Sequence, residues 1–379
     1  MSAPQPAAPE GTGPVKEIDK LFTAAAKNGA SDLHLKVGSP PLFRIHGKVI
    51  RVKANPLTND QIKQLISEMM SPNHEKELAE RGAADFAYGV RGIGRFRVNI
   101  FRQRGAISMA ARRVQTDIPP PDKLNLPEAV KHISAMEEGL VLVAGITGSG
   151  KSTTLASLIQ IINMTKPLHI VTLEDPIEYL YRDDKAFVNQ REIGIDVPSF
   201  PDGLRYILRQ DPDVILVGEM RDADTFETAL MAAETGHLVF GTIHASSAAQ
   251  TIGRILDYFP AIRHGQIRQM LFFNLKAVMV QRLVRGVRQD APIVPAVEIM
   301  FVNPMIRKLI EDGDDAKISD VIRSSRQEGM QDINQSLVDL VNQGLITEQT
   351  ALENSPNPEQ LAMNLKGISL GGDQGTILH

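Results

Sequence analysis

The feature that most narrows what this chain can fold into is the run Gly145-Ile146-Thr147-Gly148-Ser149-Gly150-Lys151-Ser152, followed by Thr153. It matches G-x-x-x-x-G-K-[ST] in full. The glycines let successive backbone N–H groups converge on phosphate oxygens, and a following helix adds the positive end of its dipole. From there Lys151 reaches β- and γ-phosphates, and Ser152 offers a hydroxyl to Mg²⁺. The flanks fit: an apolar strand at Leu140–Ala144 precedes the loop, and a helix carrying Leu155, Leu158, Ile159 and Ile162 follows. A glycine-rich turn that binds nothing is the alternative, and the two flanks weigh against it. The expected ligands are ATP and Mg²⁺.

Short Val/Ile/Leu-rich runs at Leu168–Leu173, Asp213–Val217 and Leu238–Ile243 read as further parallel strands, covered on both faces. The fold class is therefore α/β. In open α/β sheets ligands sit at the carboxyl ends of strands. Polar chemistry stands at each of these ends: Glu174-Asp175-Pro176-Ile177-Glu178, Gly218-Glu219-Met220-Arg221-Asp222, and His244. A carboxylate beside bound phosphate can hold Mg²⁺ through water or take a proton from attacking water. Glu219 is the first choice for that base and, with Ser152, for the metal; Glu174 is the second choice. Taken singly, such carboxylates often cap helices, and His237 or His244 could be plain hydrogen-bonded structural residues. From about residue 260 the chain reads as mainly helical, with Leu271, Leu275, Val278 and Met279 on one stripe.

The first third has a different character. After a Pro- and Ala-rich leader over 1–14, a smaller α+β domain is expected over 15–115. It opens with an amphipathic helix placing Ile18, Leu21, Phe22 and Ala25 together, and continues with strands at Leu42–Ile45 and Val49–Val52 and a helix at Gln61–Met70. Its plainest strand is Arg95–Phe101, where Phe96, Val98 and Ile100 alternate with polar residues; Ile107, Met109 and Ala111 repeat the pattern to make a hairpin. The prolines of 116–127 stiffen a linker. The second domain then runs from 128 to 370, and 371–379 reads as a loose tail.

Between 91 and 113 there are seven arginines and no acid. Such a run is a solvated face, a nucleic-acid patch or a source of phosphate contacts. Net charge is −4, and only Phe96 and Phe101 interleave the arginines, with Phe96 assigned to the core. These features argue against nucleic acid. An arginine supplied in trans is the favoured reading, for at least one of Arg97, Arg102, Arg104 and Arg113. Cysteine is absent, which excludes disulfides and thiolate-bound zinc. No apolar run approaches the ~20 residues of a spanning helix, so a cytoplasmic protein is expected.

These motifs together resemble a known group. Gly145–Thr153, Leu173–Glu178, Asp211–Asp222 and Thr235–His244 resemble the Walker A, Asp box, Walker B and His box of secretion-superfamily ATPases, in order and spacing. Gly29–Leu35, Pro40-Pro41 and Gly47 are similar to that superfamily's PAS-like domain. The nearest likeness is to the type IV pilus retraction ATPases of the PilT/PilU kind. The chain has one compact N-terminal domain and no four-cysteine zinc motif, and Ile306–Glu311, Glu328–Gln331 and Asn357–Leu361 look like the terminal helices of that family. The resemblance implies a RecA-like P-loop ATPase domain behind a PAS-like one. It implies that Glu219 is the catalytic glutamate, that Glu174, His237 and His244 line the nucleotide site, and that the arginines of the 95–113 hairpin reach the nucleotide of the adjacent subunit. It further implies a homohexamer, peripheral at the inner membrane, docked on a pilus platform protein, with a paralogous retraction or assembly ATPase as a further partner. The activity implied is a motor for pilus retraction and twitching motility. Pilus-assembly or type II secretion ATPases share every catalytic residue and remain the alternative, with a RecA-like nucleic-acid translocase behind them.

Overall fold

A computed structural model describes residues 16–367; the leader over 1–14 and the tail over 371–379 lie outside the described residues. The chain divides after Thr116 into two compact units.

The first unit carries three helices, α1 (Glu17–Lys27), α2 (Asn59–Ser67) and α3 (Pro72–Arg81). Its strands are β1 (Asp32–Leu35), β2 (Leu42–Ile45), β3 (Lys48–Arg51), β4 (Ala83–Val90), β5 (Gly94–Gln103) and β6 (Ala106–Arg113). The strands form one antiparallel sheet in the order β3-β2-β1-β6-β5-β4. Local chemistry starts the helices: Thr58 with Gln61, and Ser71 with His74, each close a reciprocal cap on the first turn. The period-2 pattern of β5 holds, with Phe96, Val98 and Ile100 almost wholly buried against Ile18 and Phe22 of α1. The β5–β6 hairpin turns on Arg104 and Gly105, both at positive φ. That is the twist a two-residue hairpin needs.

The second unit is a seven-stranded sheet ordered β13-β12-β7-β11-β10-β8-β9. Its strands are β7 (Gly139–Ala144), β8 (His169–Glu174), β9 (Phe187–Glu192), β10 (Val214–Val217), β11 (Leu238–Ile243), β12 (Leu275–Arg288) and β13 (Ala291–Phe301). Only β13 runs antiparallel to its neighbour; the others are parallel. Strands β7, β8, β10 and β11 are buried along their whole length, as a sheet covered on both faces requires. Helices α4 (Val130–Ala135) and α5 (Lys151–Thr165) cover one face. The other is packed by α6 (Phe200–Ile207), α7 (Ala223–Glu234), α8 (Ala248–Leu256), α9 (His264–Asn274), α10 (Pro304–Asp312) and α11 (Ile318–Ser324). Helices α12 (Ile333–Asn342), α13 (Glu348–Asn354) and α14 (Pro358–Leu365) bury Leu337, Ala351 and Leu361 against the far end of β12–β13.

One expectation is overturned here. Leu271, Leu275, Val278 and Met279 do not form a helical stripe: α9 stops at Asn274, and Leu275 begins the 14-residue strand β12. Val278 faces the α9 side of the sheet while Met279 faces the α5 side. A short apolar run fits both periods when a strand is buried on both faces. A bulge between Leu275 and Ala277 returns Leu275 to the same side as Val278, which imitates helical spacing.

Candidate active site

Strand β7 ends at Ala144, and the loop 145–150 passes directly into α5, with Gly150 as the residue before its first turn. Two glycines are demanded by space. At Gly145 (φ +145) a Cβ would stand 2.4 Å from the Gln281 carbonyl oxygen and 2.5 Å from Ser149 Oγ. At Gly150 (φ +86) it would meet Gln281 Nε2 at 2.7 Å. The loop is thus pressed against β12 so closely that only backbone fits. Lys151 folds back over it, donating from Nζ to the carbonyls of Gly145 (2.8 Å) and Ile146 (3.0 Å). Burial holds its pKa below the ordinary lysine value, against the opposing pull of the Glu219 charge. Ile146 and Ser152 are exposed at the loop crest and the start of α5. The Ser149 hydroxyl is buried without a hydrogen-bond partner among the described residues. Thr153 Oγ1 lies 2.9 Å from the hydroxyl of Tyr179.

Gln281 is a site residue that the sequence reading missed. It is buried on β12, one residue past the stretch paired with β7. Its Nε2 donates to the Ser149 carbonyl (2.7 Å), and its Oε1 accepts from Thr154 Oγ1 (2.7 Å). One side chain thereby clamps both the phosphate loop and the first turn of α5. Reading 275–280 as helix hid it; as a strand beside β7, the same residues place position 281 at the loop. Gln281→Leu keeps the volume but strands a buried carbonyl and a hydroxyl, at a cost of about 1–3 kcal/mol for each. Urea unfolding should show that loss, together with weakened ADP affinity; a variant as stable as wild type would remove the clamp.

The ends of β8, β10 and β11 are laced together. Gly218 N–H donates to the Leu173 carbonyl (2.7 Å), Thr242 Oγ1 to the Gly218 carbonyl (2.6 Å), and Met220 N–H to the Thr242 carbonyl (3.0 Å). Glu219 is held inside that lacing. Its Oε1 lies 3.0 Å from His244 Nε2, and its Oε2 accepts from Arg221. Burial acts to raise its pKa, but Arg221 and His244 outweigh burial and hold the carboxyl below the ordinary glutamate value.

Glu174 differs. It is nearly inaccessible, accepts from Thr172 Oγ1 (2.7 Å) and Gln190 Nε2 (3.1 Å), and burial pushes its pKa up. The two carboxyl groups therefore part: Glu219 is ionised at neutral pH, and Glu174 holds a proton more readily.

His237 is not brought to this place. It precedes β11, while His244 follows it, so the two stand at opposite ends of a six-residue strand, about 23 Å apart at ~3.3 Å per residue. His237 Nδ1 lies 2.9 Å from the Ala232 carbonyl oxygen and 3.1 Å from Thr235 Oγ1, at the end of α7. That is a structural role. The expectation that it lines the nucleotide site of its own chain is corrected.

In the first unit the arginines are not equivalent. Arg112 Nε donates to Asp32 Oδ1 (2.9 Å), with Arg44 on the other oxygen at 3.5 Å. Burial alone would raise the Asp32 pKa, but Ser31 and Arg112 hold it below the ordinary range. Arg113 is half-buried and donates to the Ile93 carbonyl (3.3 Å). Arg97, Arg102 and Arg104 are exposed, on β5 and its turn.

A cleft of about 280 Å³ opens beside Gly150, Thr153 and Thr154. Leu124, Leu283, Pro292 and Ile293 supply its apolar wall, and Asn125 and Asp290 bring polar groups to it.

Comparison with known proteins agrees with this geometry. The family model for type II/IV secretion system proteins matches residues 9–292. The type IV pilus retraction ATPase PilT of Pseudomonas aeruginosa is 43% identical over 343 residues, covering 90% of this chain and 99% of the relative. The type IV pilus ATPase PilU of the same organism is 38% identical, covering 92% and 91%. A crystal structure of the pilus retraction motor PilT with bound ADP superimposes with a TM-score of 0.83 at 46% identity, over 92% of this chain and 99% of that one.

Proposed function

We propose a working role from one premise: the chain belongs to the type II/IV secretion system protein family, among its PilT-like ATPases. It hydrolyses ATP, and it serves as a hexameric motor that powers type IV pilus retraction and twitching motility. The observation that carries the ATPase reading is the loop 145–150 at the end of β7, with Lys151 curled over it and Glu219 charged nearby. The likeness to PilT carries the retraction reading.

In this reading the second unit is the RecA-like domain and the first is PAS-like. The loop amides and the start of α5 bind the β- and γ-phosphates. Lys151 exchanges its contacts with the Gly145 and Ile146 carbonyls for phosphate oxygens. The cleft between Leu124, Leu283 and Ile293 takes base and ribose. Glu219, ionised and fixed by His244 and Arg221, orients the attacking water and accepts its proton; Glu174 lies at the next strand end but one from His244 and helps to line the site.

Mg²⁺ fits the donor set. Ser152 offers an exposed hydroxyl and Glu219 an ionised carboxylate, and Mg²⁺ is held by few protein oxygens beside phosphates and water. When bound it would neutralise charge on the β- and γ-phosphates. Among the described residues no helix is long and apolar enough to cross a membrane. The motor sits in the cytoplasm against the inner membrane, on a pilus platform protein, and a paralogous ATPase is a further partner.

Calorimetry with ADP and Mg²⁺ tests the premise of the mechanism: binding is expected in the wild type and its loss in Lys151→Ala. No affinity in the wild type would end the reading. Deletion tests the direction. Hyperpiliated, non-twitching cells mean retraction; bald cells mean that the chain is an assembly ATPase instead.

A further inference from the structure

Glu298 is a carboxylate on β13, which lies outside the strand ends that carry the chemistry. It is 7% exposed, and its Oε1 accepts a 2.6 Å hydrogen bond from the Ala248 N–H, at the first turn of α8. Ser247 already caps that helix, its hydroxyl accepting from Gln250 N–H at 3.2 Å. The helix therefore has its ordinary cap, and a buried carboxylate has been added to it. Burying a charge is costly unless it is paired and hydrogen-bonded, and here the Ala248 N–H and the Arg282 charge are what favour the ionised form.

What Ala248 terminates is informative. His244, which meets Glu219 at 3.0 Å, is followed by three residues and then Ala248. The segment is fixed at its strand end by the two Thr242 bonds to Gly218 and Met220. At its helix end the Glu298 bond holds the Ala248 amide. A short segment pinned at both ends can hold a side chain within the few tenths of an ångström that chemistry requires.

We infer that Glu298 is a positioning residue: through the α8 N-terminus it holds His244, and with it Glu219, in register for hydrolysis. This rests on the reading of Glu219 as the base. The groups facing Glu298 are the α8 amide, Arg282 from β12 and Asp332 from the start of α12. Burial, against the Ala248 bond, pushes its pKa up to about 7. A raised carboxyl stabilises the fold in its protonated form. That contribution is full below the ordinary glutamate pKa and is lost as pH rises through about 7.

The test is Glu298→Gln, which keeps shape and acceptor but carries no charge, measured on the full chain from pH 5.5 to 8.5. At pH 8 kcat should fall about tenfold with KM for ATP unchanged, since the defect is in alignment and not in binding. Wild-type kcat should decline toward the variant's as pH drops through 7, while the variant lacks that step. The difference in Tm should shift in the variant's favour as pH rises, as for any buried carboxyl of raised pKa; the step in kcat is the readout that a purely structural anchor would not produce. Wild-type kcat with the pH step intact in Glu298→Gln overturns the proposal, and so does a raised KM at unchanged kcat. Glu298→Ala, which also removes the acceptor, should lose more than Glu298→Gln; equal or smaller loss counts against it. Glu219→Gln is run alongside. If it keeps turnover, the reading of the base falls and takes this proposal with it. If it is dead while Glu298→Gln behaves as wild type, only the positioning role falls.

Discussion

Glu219→Gln is expected to cut ATP turnover by about 10²–10⁴-fold, the usual worth of a positioned general base, with ADP affinity little changed. The glutamine fills the same space between His244 and Arg221, so the lacing of Gly218, Met220 and Thr242 stays as it is. What disappears is the negative charge that both neighbours hold below its ordinary pKa. Steady-state hydrolysis shows the loss, and fluorescent ADP binding shows that the nucleotide site survives. Near-wild-type turnover would hand the role to another group, with Glu174 first in line, although Glu174 is nearly inaccessible and already accepts from Thr172 and Gln190.

Replacing Arg97, Arg102 and Arg104 together by alanine should lower turnover by about 10³–10⁵-fold, if these groups stabilise the transition state from a neighbouring subunit. All three are exposed, so the fold should lose little. Arg112 and Arg113 are left alone because Asp32 and the Ile93 carbonyl already use them. The decisive measurement is mixing. Rings assembled from the triple variant and Lys151→Ala chains contain some interfaces where an intact loop meets intact arginines, so partial activity should return. A flat response at every ratio would mean that hydrolysis needs no shared site.

Much of the site was legible because its chemistry is local. The loop 145–152 announces itself through consecutive residues, and the strands before Glu174, Glu219 and His244 are apolar runs that end on them. The β5 pattern was readable because a sheet with one covered face writes its register into alternate residues. Legibility failed where position depends on pairing across the sheet. Gln281 touches the phosphate loop only because β12 lies next to β7, and nothing within residues 271–280 separates a helix from a doubly buried strand. His237 shows the converse. Seven residues before His244 in sequence, it looks like part of the same box, yet an extended strand carries the two apart.

Neighbouring residues of a strand point to opposite sides. On β12, Gln281 grips the loop that would cradle phosphate, and the next residue, Arg282, donates to the carbonyl of Asn354 at the end of α13. The phosphate loop and the C-terminal end of α13 are thus tied to adjacent residues of one strand, so a shift of β12 along its length would carry both anchor points together.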